Sequence, residues 1–235
     1  MNFENVYQDC INVCYCADKK YEKPLRVAID YLHRFYRDER ELKIHVLTTD
    51  SSLSVSGAEV IFIPHTDLSI AQLRIMAPGI INDKCIYLDS DTIVTTCISR
   101  LWDLSFSGTT AMAVCLDMPT CKLAGQRYNI SSLKRLDRPF FNTGVIVFNC
   151  KLWREYNIYD KCLKKFHEYR DTSSRYNDEP GINMAVDDCY ILDSTWNYNP
   201  KPHNPYRKAN IIHPYDTKLS NKPVHTLFNH NITHT

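Results

Sequence analysis

The sequence predicts a single α/β domain with a mainly parallel sheet flanked by helices. Short apolar runs alternate with segments of helical periodicity, which is the pattern of right-handed β-α units. Apolar residues form 44% of the 235-residue chain, enough for a sizeable core. A chain of this length suits one large domain better than two small ones, and no internal repeat or low-complexity segment is visible.

The elements follow one another along the chain. Residues 12–17 are predicted to form a short buried strand, and residues 24–37 carry apolar side chains at helical spacing behind a proline. Further strands are predicted at 43–49, 60–63, 84–88, 111–116 and 145–148. Helices are predicted at 69–77, ended by Pro78-Gly79, and at 152–169. After Trp196 the chain is rich in Pro, Asn and His, which predicts either an ordered wrapping loop or a loosely held tail.

Charge and targeting signals exclude several classes of protein. Lys and Arg number 28 against 27 Asp and Glu, so no global field favours nucleic acid or an anionic membrane. The N-terminus has no signal-peptide pattern, and no apolar run approaches the roughly 20 residues that span a bilayer. We therefore expect a cytoplasmic protein without a transmembrane segment and leave its oligomeric state open.

The ten cysteines are expected to be reduced. They are scattered through apparent strands in a chain too large to depend on disulfides. Cys14 and Cys16 form the one closely spaced pair, and no second pair of suitable spacing would complete a zinc site with them.

The most informative segment is residues 86–94, which read Ile-Tyr-Leu-Asp-Ser-Asp-Thr-Ile-Val. Asp89 and Asp91 stand at the carboxyl end of an apolar strand, and buried unpaired carboxylates are expensive to desolvate. A hard divalent cation is the simplest partner for them, and open α/β sheets bind ligands at this edge. Taken alone, Asp-x-Asp also fits a solvated turn.

A second segment, residues 139–149, reads Pro-Phe-Phe-Asn-Thr-Gly-Val-Ile-Val-Phe-Asn. Here the polar Asn142, Thr143 and Gly144 interrupt an apolar run. The glycine allows a close approach between backbone and ligand, and the asparagine can hydrogen-bond a hydroxyl. A β-bulge is the alternative interpretation.

Together these two segments resemble glycosyltransferase family 8, and the resemblance follows the family's order over roughly residues 12–223. It implies a Rossmann-like GT-A fold with a nucleotide-binding half, residues 1–110. Residues 111–235 would form the half for donor sugar and acceptor, with a C-terminal wrapping segment. The implied activity is metal-dependent, retaining transfer of a hexose from a UDP-sugar, UDP-glucose or UDP-galactose, to a glycan or protein acceptor.

The resemblance also implies the site residues. Asp89, Asp91 and His213 would bind Mn²⁺ or Mg²⁺. Asp178 and Glu179 would lie beside the anomeric carbon, with Glu179 in the place of the family's glutamine, as nucleophile or as stabiliser of an oxocarbenium ion. The residues implied to contact the donor are Ala17, Asp18, Lys20, Tyr21, Arg74, Asp89, Ser90, Asp117, Asn142, Thr143, Gly144 and either Lys218 or Lys222.

Two other functions remain open from the sequence. A phosphatase of the haloacid dehalogenase type also has a strand followed by Asp-x-Asp, with Asp89 as the phosphorylated nucleophile and Asp91 beside it. However, that motif normally opens the domain, whereas here about a third of the chain precedes it. A non-catalytic nucleotide-sugar binder is the second alternative, and it would be expected to have lost some of the charged positions.

Overall fold

The computed structural model describes residues 10–64, 66–105, 108–127, 129–168, 178–200 and 209–214. Its strands are β1 (Cys10–Cys16), β2 (Glu41–Thr48), β3 (Glu59–Phe62), β4 (Lys84–Leu88), β5 (Ile93–Val94), β6 (Met112–Met118), β7 (Phe140–Asn149), β8 (Tyr190–Leu192) and β9 (Ile211–Ile212). Its α-helices are α1 (Glu22–Phe35), α2 (Ala77–Ile80), α3 (Ser99–Trp102), α4 (Cys121–Arg127), α5 (Cys150–Glu155), α6 (Ile158–Glu168) and α7 (Asp178–Ala185). Short 3₁₀ helices cover Lys19–Tyr21, Gln72–Met76, Leu133–Arg135 and Ser194–Asn197.

The main sheet has seven strands in the order β3-β2-β1-β4-β7-β6-β8, and β5 and β9 form a separate pair. Strands β1 to β4 are mutually parallel, as expected from the β-α pattern, and β8 is parallel to β6. Strand β7 is inserted antiparallel between β4 and β6. The predicted α/β fold with a mostly parallel sheet is confirmed, and the reversal of β7 is its main departure from a parallel sheet.

The reversal of β7 brings the two informative segments together. In an antiparallel pair the beginning of one strand lies beside the end of the other. Leu88, the last residue of β4, therefore pairs with Val145, and the residues before Val145 lie beside the Asp-x-Asp turn. The register between β6 and β7 shifts at this point, since Val114 pairs with Ile146 but Cys115 pairs with Asn142. The polar segment is thus a bulge inside a longer strand than predicted.

Side chains of alternate residues cover the two faces of the sheet. On β1, Val13 and Tyr15 pack against α1, while Cys14 and Cys16 face the opposite layer with Trp153 of α5. All ten cysteines are free thiols, and most of them are buried. The prediction that most of the cysteines lie in the core is confirmed.

Two helix predictions were wrong in detail. The helix predicted at 152–169 is divided into α5 and α6, because Asn157 adopts a left-handed φ of 50°, a conformation that ends helices. Pro78 and Gly79 lie inside α2 instead of ending the preceding helix. A proline is tolerated there because the first turn of a helix has no intrahelical partners for its N–H groups.

Most of the segment after Trp196 lies outside the described residues, so the choice between wrapping loop and tail stays open. Within the described ranges, none of the helices combines the length and the apolarity needed to cross a bilayer.

Gly181→Ala should destabilise the protein by about 1–2 kcal/mol, because α7 packs closely against α6 at this glycine. A Cβ atom at Gly181 would overlap the ring of Phe166, 2.6 Å from its Cε1. Gly79→Ala is the matched control, since a Cβ there meets no atom within 4 Å and alanine favours the helix. Urea unfolding measures both, and equal stability of the two variants would contradict the close packing of α7 on α6.

Candidate functional site

The site lies at the carboxyl end of β4. The backbone N–H of Asp89 donates to the carbonyl of Gly144 on β7, at 2.8 Å. The chain then turns back, with the N–H and hydroxyl of Thr92 both donating to the Asp89 carbonyl, at 3.0 and 2.8 Å. Strand β5 follows and pairs with β9, so that Ile93 lies opposite Ile212. The next residue, His213, is thereby carried to the two aspartates.

Asp89, Asp91 and His213 form a cluster of possible metal ligands. One ligand atom from each lies within 4.8 Å of the others. The Nε2 atom of His213 is 3.4 Å from Oδ2 of Asp89 and 3.3 Å from Oδ1 of Asp91. Two carboxylates and an imidazole suit a divalent cation such as Mn²⁺ or Mg²⁺. Across the described ranges, no other group of three His, Cys, Asp or Glu residues meets the same spacing.

Without a metal, His213 and Asp91 stabilise each other's charged forms. Burial alone would lower the pKa of His213, but the charge and hydrogen bond of Asp91 and the charge of Asp89 raise it above its ordinary value. Burial alone would raise the pKa of Asp91, and the His213 interaction holds it below its ordinary value instead. In the metal-free protein the two aspartates therefore favour the protonated form of His213.

Arg74 holds two of the carboxylates. Its side chain is buried, and Nη2 lies 3.2 Å from Oδ1 of Asp89 and 3.2 Å from Oδ2 of Asp178. Burial acts to lower the pKa of Arg74, but the charges of Asp89 and Asp178 raise it overall, so the guanidinium stays charged. The Tyr87 hydroxyl donates to the same Oδ1 of Asp89, at 2.6 Å. Arg74 and Tyr87 thus fix Oδ1 of Asp89, and Oδ2 faces His213.

Arg74 also fixes the bulge of β7. Its Nη1 donates to the backbone carbonyl of Thr143 and to the hydroxyl of the same residue, the latter at 2.9 Å. Its Nε donates to the Ala71 carbonyl at 2.6 Å. One guanidinium therefore joins the helix before β4, the Asp-x-Asp turn and the polar segment of β7.

A chain of hydrogen bonds links Glu179 to His213. Asn142 donates from Nδ2 to Oε1 of Glu179 at 3.0 Å, and its Oδ1 accepts from Nδ2 of Asn197 at 2.6 Å. Oδ1 of Asn197 lies 2.8 Å from Nδ1 of His213. The side chain of Asn183 anchors α7 beside this chain, by bonding both the N–H and the carbonyl of Phe141.

Gly144 makes room for the histidine ring. A Cβ atom at this position would overlap Cε1 and Nδ1 of His213 and lie 2.9 Å from Oδ2 of Asp89. The sequence interpretation assigned the glycine to a close approach of ligand and backbone. In the structure, the ring of His213, a candidate metal-binding residue, lies against this backbone.

The residues expected to hold the base lie at the end of β1, which is parallel to β4. Ala17 is buried and donates its N–H to the Leu47 carbonyl. Asp18 caps the short helix that follows, by accepting from the N–H of Tyr21 at 3.1 Å. Tyr21 is 41% exposed, with the Lys20 ammonium 5.6 Å from its ring centroid. The Tyr21 ring therefore offers an accessible face at the same edge of the sheet.

The remaining expected residues differ in how they are placed. Ser90 is buried between the two aspartates, and Asp117 is half-buried near the end of β6. Lys218 and Lys222 lie outside the described residues.

Sequence reasoning missed Tyr87 and Asn197. Tyr87 could have been found, because residues two apart on a strand share a face and Tyr87 precedes Asp89 by two. Asn197 carried no such signal. It follows Asp-Ser-Thr-Trp at 193–196 and reaches Asn142 and His213 through the tertiary fold alone.

Comparison with known proteins agrees with this architecture. A family model described as Glycosyl transferase family 8 matches residues 69–221, which is more than half of the chain. General stress protein A of Bacillus subtilis is 26% identical over 218 residues, covering 80% of this chain and 74% of that protein. Glycosyltransferase GlyB of Streptococcus pneumoniae is 27% identical over 139 residues, or 58% of this chain and 30% of GlyB.

Solved structures show the same fold. The galactosyltransferase LgtC, crystallised with donor and acceptor sugar analogues, superposes with a TM-score of 0.68 at 20% identity, over 86% of each chain. An active-site mutant of LgtC with glutamate in place of glutamine gives 0.65 at 22% identity, over 86% of each chain. GlyE of Streptococcus pneumoniae gives 0.65 at 22% identity, over 86% of this chain and 54% of that one. These likenesses establish the GT-A fold of the chain.

Gly144→Ala should lower the free energy of unfolding by about 1–3 kcal/mol, the usual range for overpacking, and should weaken binding of any divalent cation at the cluster of Asp89, Asp91 and His213. Mn²⁺ titration and urea unfolding measure the two effects. A double-mutant cycle with His213→Ala tests the cause, because removing the ring should abolish most of the effect of Gly144→Ala on stability. Additive losses in the double variant would show that the ring is not what the new methyl group meets.

A divalent cation held by Asp89, Asp91 and His213 would bind more tightly as the pH rises, because it would displace a proton from Nε2 of His213. The pKa of His213 is raised above its ordinary value, so protons compete with the metal up to a higher pH than at a free imidazole. Below that pKa, affinity should fall about tenfold for each unit of pH, as one displaced proton requires. Electron paramagnetic resonance of free Mn²⁺ measures this, and an affinity independent of pH would contradict ligation by His213.

Proposed function

This chain belongs to glycosyl transferase family 8, and from that premise we propose that it transfers a hexose from a UDP-sugar to a glycan or protein acceptor. We propose that the reaction depends on Mn²⁺ or Mg²⁺ and retains the anomeric configuration. UDP-glucose and UDP-galactose are the proposed donors. The division into a nucleotide-binding half, 1–110, and a donor-sugar and acceptor half, 111–235, is part of the same proposal.

The observation that carries the proposal is the cluster of Asp89, Asp91 and His213, whose ligand atoms lie within 4.8 Å of one another. We propose that these side chains hold the divalent ion. When bound, such an ion offsets the negative charge that develops on a diphosphate leaving group. Tyr87 and Arg74 occupy Oδ1 of Asp89, at 2.6 and 3.2 Å, and so leave Oδ2 directed to the proposed metal position.

Asp178 and Glu179 are proposed to face the reacting sugar. Glu179 is buried and accepts from Asn142, while Asp178 is paired with Arg74. A buried carboxylate close to the anomeric carbon stabilises an oxocarbenium-like transition state, as in glycoside hydrolysis. We propose that Glu179 acts in this way, without forming a covalent bond, and that the acceptor attacks from the face that the diphosphate leaves.

The remaining donor contacts are proposed from the resemblance. The base and ribose would lie against Ala17, Asp18, Lys20 and Tyr21 at the end of β1, with Asp89 also reaching the ribose. Sugar and phosphate contacts are assigned to Arg74, Ser90, Asp117, Asn142, Thr143, Gly144 and either Lys218 or Lys222.

Membership of family 8 argues against the alternative in which Asp89 is the phosphorylated nucleophile of a haloacid dehalogenase-type phosphatase. A non-catalytic binder remains the second candidate. It is disfavoured because Asp89, Asp91, Asp178 and His213 are all present and Arg74 orients two of the three carboxylates. The two functions differ in turnover, since a binder would hold a UDP-sugar without releasing UDP.

Incubation with a panel of UDP-sugars and Mn²⁺ should release UDP, and EDTA should stop the release. Asp91→Asn should lower the initial rate by about 100-fold or more, the scale of losing one group that stabilises developing charge. Asp187→Asn is the control, because that side chain is 98% exposed. Tight binding of a UDP-sugar with no release of UDP, with or without an acceptor panel, would identify a binder.

Glu179→Gln should lower turnover by about 100-fold and still leave it measurable, because glutamine retains an oxygen for Asn142 but loses the charge that stabilises the transition state. A covalent nucleophile could not be replaced by an amide in this way. Initial rates of UDP release measure the effect, with circular dichroism to check folding. Near-complete loss of turnover in a folded variant would instead indicate a covalent role for Glu179.

A further inference from the structure

We infer that Asn197 is a positioning residue that fixes the proton of His213 on Nδ1, so that Nε2 can accept a metal ion. The inference rests on the proposed metal site and deepens it. Asn197 lies outside the metal cluster, and its amide bonds His213 on one side and Asn142 on the other, at 2.8 and 2.6 Å. The other end of this chain of hydrogen bonds is the backbone N–H of Gly144.

The backbone N–H of Gly144 sets the direction of the chain. Distances alone do not distinguish the oxygen and nitrogen of an asparagine amide, but a backbone N–H can only donate. The atom of Asn142 that lies 2.8 Å from the Gly144 nitrogen is therefore its oxygen. The nitrogen of Asn142 then faces Oε1 of Glu179 at 3.0 Å, where a carboxylate oxygen accepts it.

The same logic carries through Asn197 to the histidine. The atom of Asn197 that lies 2.6 Å from the Asn142 oxygen has to be a donor, which is its nitrogen. The Asn197 oxygen is thereby turned to Nδ1 of His213, at 2.8 Å, and an amide oxygen can only accept. His213 therefore carries a proton on Nδ1, and its Nε2 faces the oxygens of Asp89 and Asp91.

Burial makes this arrangement hard to reverse. Asn142 and Asn197 are each 6% exposed and His213 is 2% exposed, so water has little access to replace a broken bond. Turning Asn142 over would place its nitrogen against the Gly144 N–H and its oxygen against Glu179, and turning Asn197 over would place its oxygen against the oxygen of Asn142. The backbone is fixed as well, because the N–H of His213 donates to the Tyr198 carbonyl and the N–H of Tyr198 to the Ile211 carbonyl, both at 2.9 Å.

The consequence concerns the affinity for metal. In a free imidazole the proton can sit on either nitrogen, and the nearby carboxylates favour Nε2, which would block the metal. The Asn197 oxygen disfavours that tautomer, because it would then face an unprotonated Nδ1 and two acceptors would meet. Removing a hydrogen-bond partner of a metal-binding histidine typically weakens metal affinity by about 10–100-fold.

The test compares Mn²⁺ affinity, in the presence of UDP, for the parent and two variants. Asn197→Ala should bind Mn²⁺ about 10–100-fold more weakly. Asn210→Ala is the matched control, because Asn210 bonds Thr195 in the same region without contacting His213, and its affinity should equal that of the parent. Unchanged affinity in a folded Asn197→Ala variant would overturn the inference.

A second measurement needs neither metal nor turnover. Nitrogen NMR of the metal-free protein, labelled with ¹⁵N-histidine, follows His213 as the pH is raised. The first proton should leave Nε2 while Nδ1 keeps its own, and the opposite order would overturn the inference even if Asn197→Ala fails to fold. A parent protein that shows the expected order but binds no Mn²⁺ would support the inference and refute the proposed metal dependence.

Discussion

Three carboxylates brought together at the end of a buried strand form the constraint on which the site depends. Within the part of the chain that the structure describes, the permanent cation that contacts these carboxylates is Arg74, which lies 3.2 Å from Asp89 and 3.2 Å from Asp178. A charge imbalance of this kind in a partly buried place requires another positive group. In the metal-free protein the raised pKa of His213 favours its protonated, positively charged form. A divalent ion would replace that proton and balance the same carboxylates more completely.

The antiparallel insertion of β7 makes this concentration of charge possible. If β7 ran parallel to β4, the polar bulge would end up at the opposite edge of the sheet from the aspartates. Reversal instead places the carbonyl of Gly144 on the N–H of Asp89 and the hydroxyl of Thr143 on Arg74. Because Gly144 has no side chain, the His213 ring can occupy the space beside it. The bulge therefore provides both the space for the His213 ring and two hydrogen-bond acceptors for Arg74.

Much of this arrangement could be predicted from local patterns. Apolar periodicity located β1 to β4 and α1, and the position of Asp89 and Asp91 after an apolar run pointed to a metal site. What local patterns could not show was direction and register. Nothing in residues 140–149 distinguishes an antiparallel strand from a parallel one, and the left-handed φ of Asn157 that divides α5 from α6 is a single-residue conformation. Both features depend on contacts made by the folded chain.

Asn197 illustrates the same limit at the level of one side chain. An asparagine in a short 3₁₀ helix is common, and its own sequence neighbourhood carries no chemical signal. Its role arises because a backbone N–H, two amides and an imidazole lie in one buried line, each fixing which atom of the next is donor or acceptor. The backbone of Gly144 thus acts twice on His213, through the space it leaves for the ring and through the direction it imposes on the hydrogen bonds. A metal site described by its three ligand residues alone would omit the groups that make the histidine available to bind.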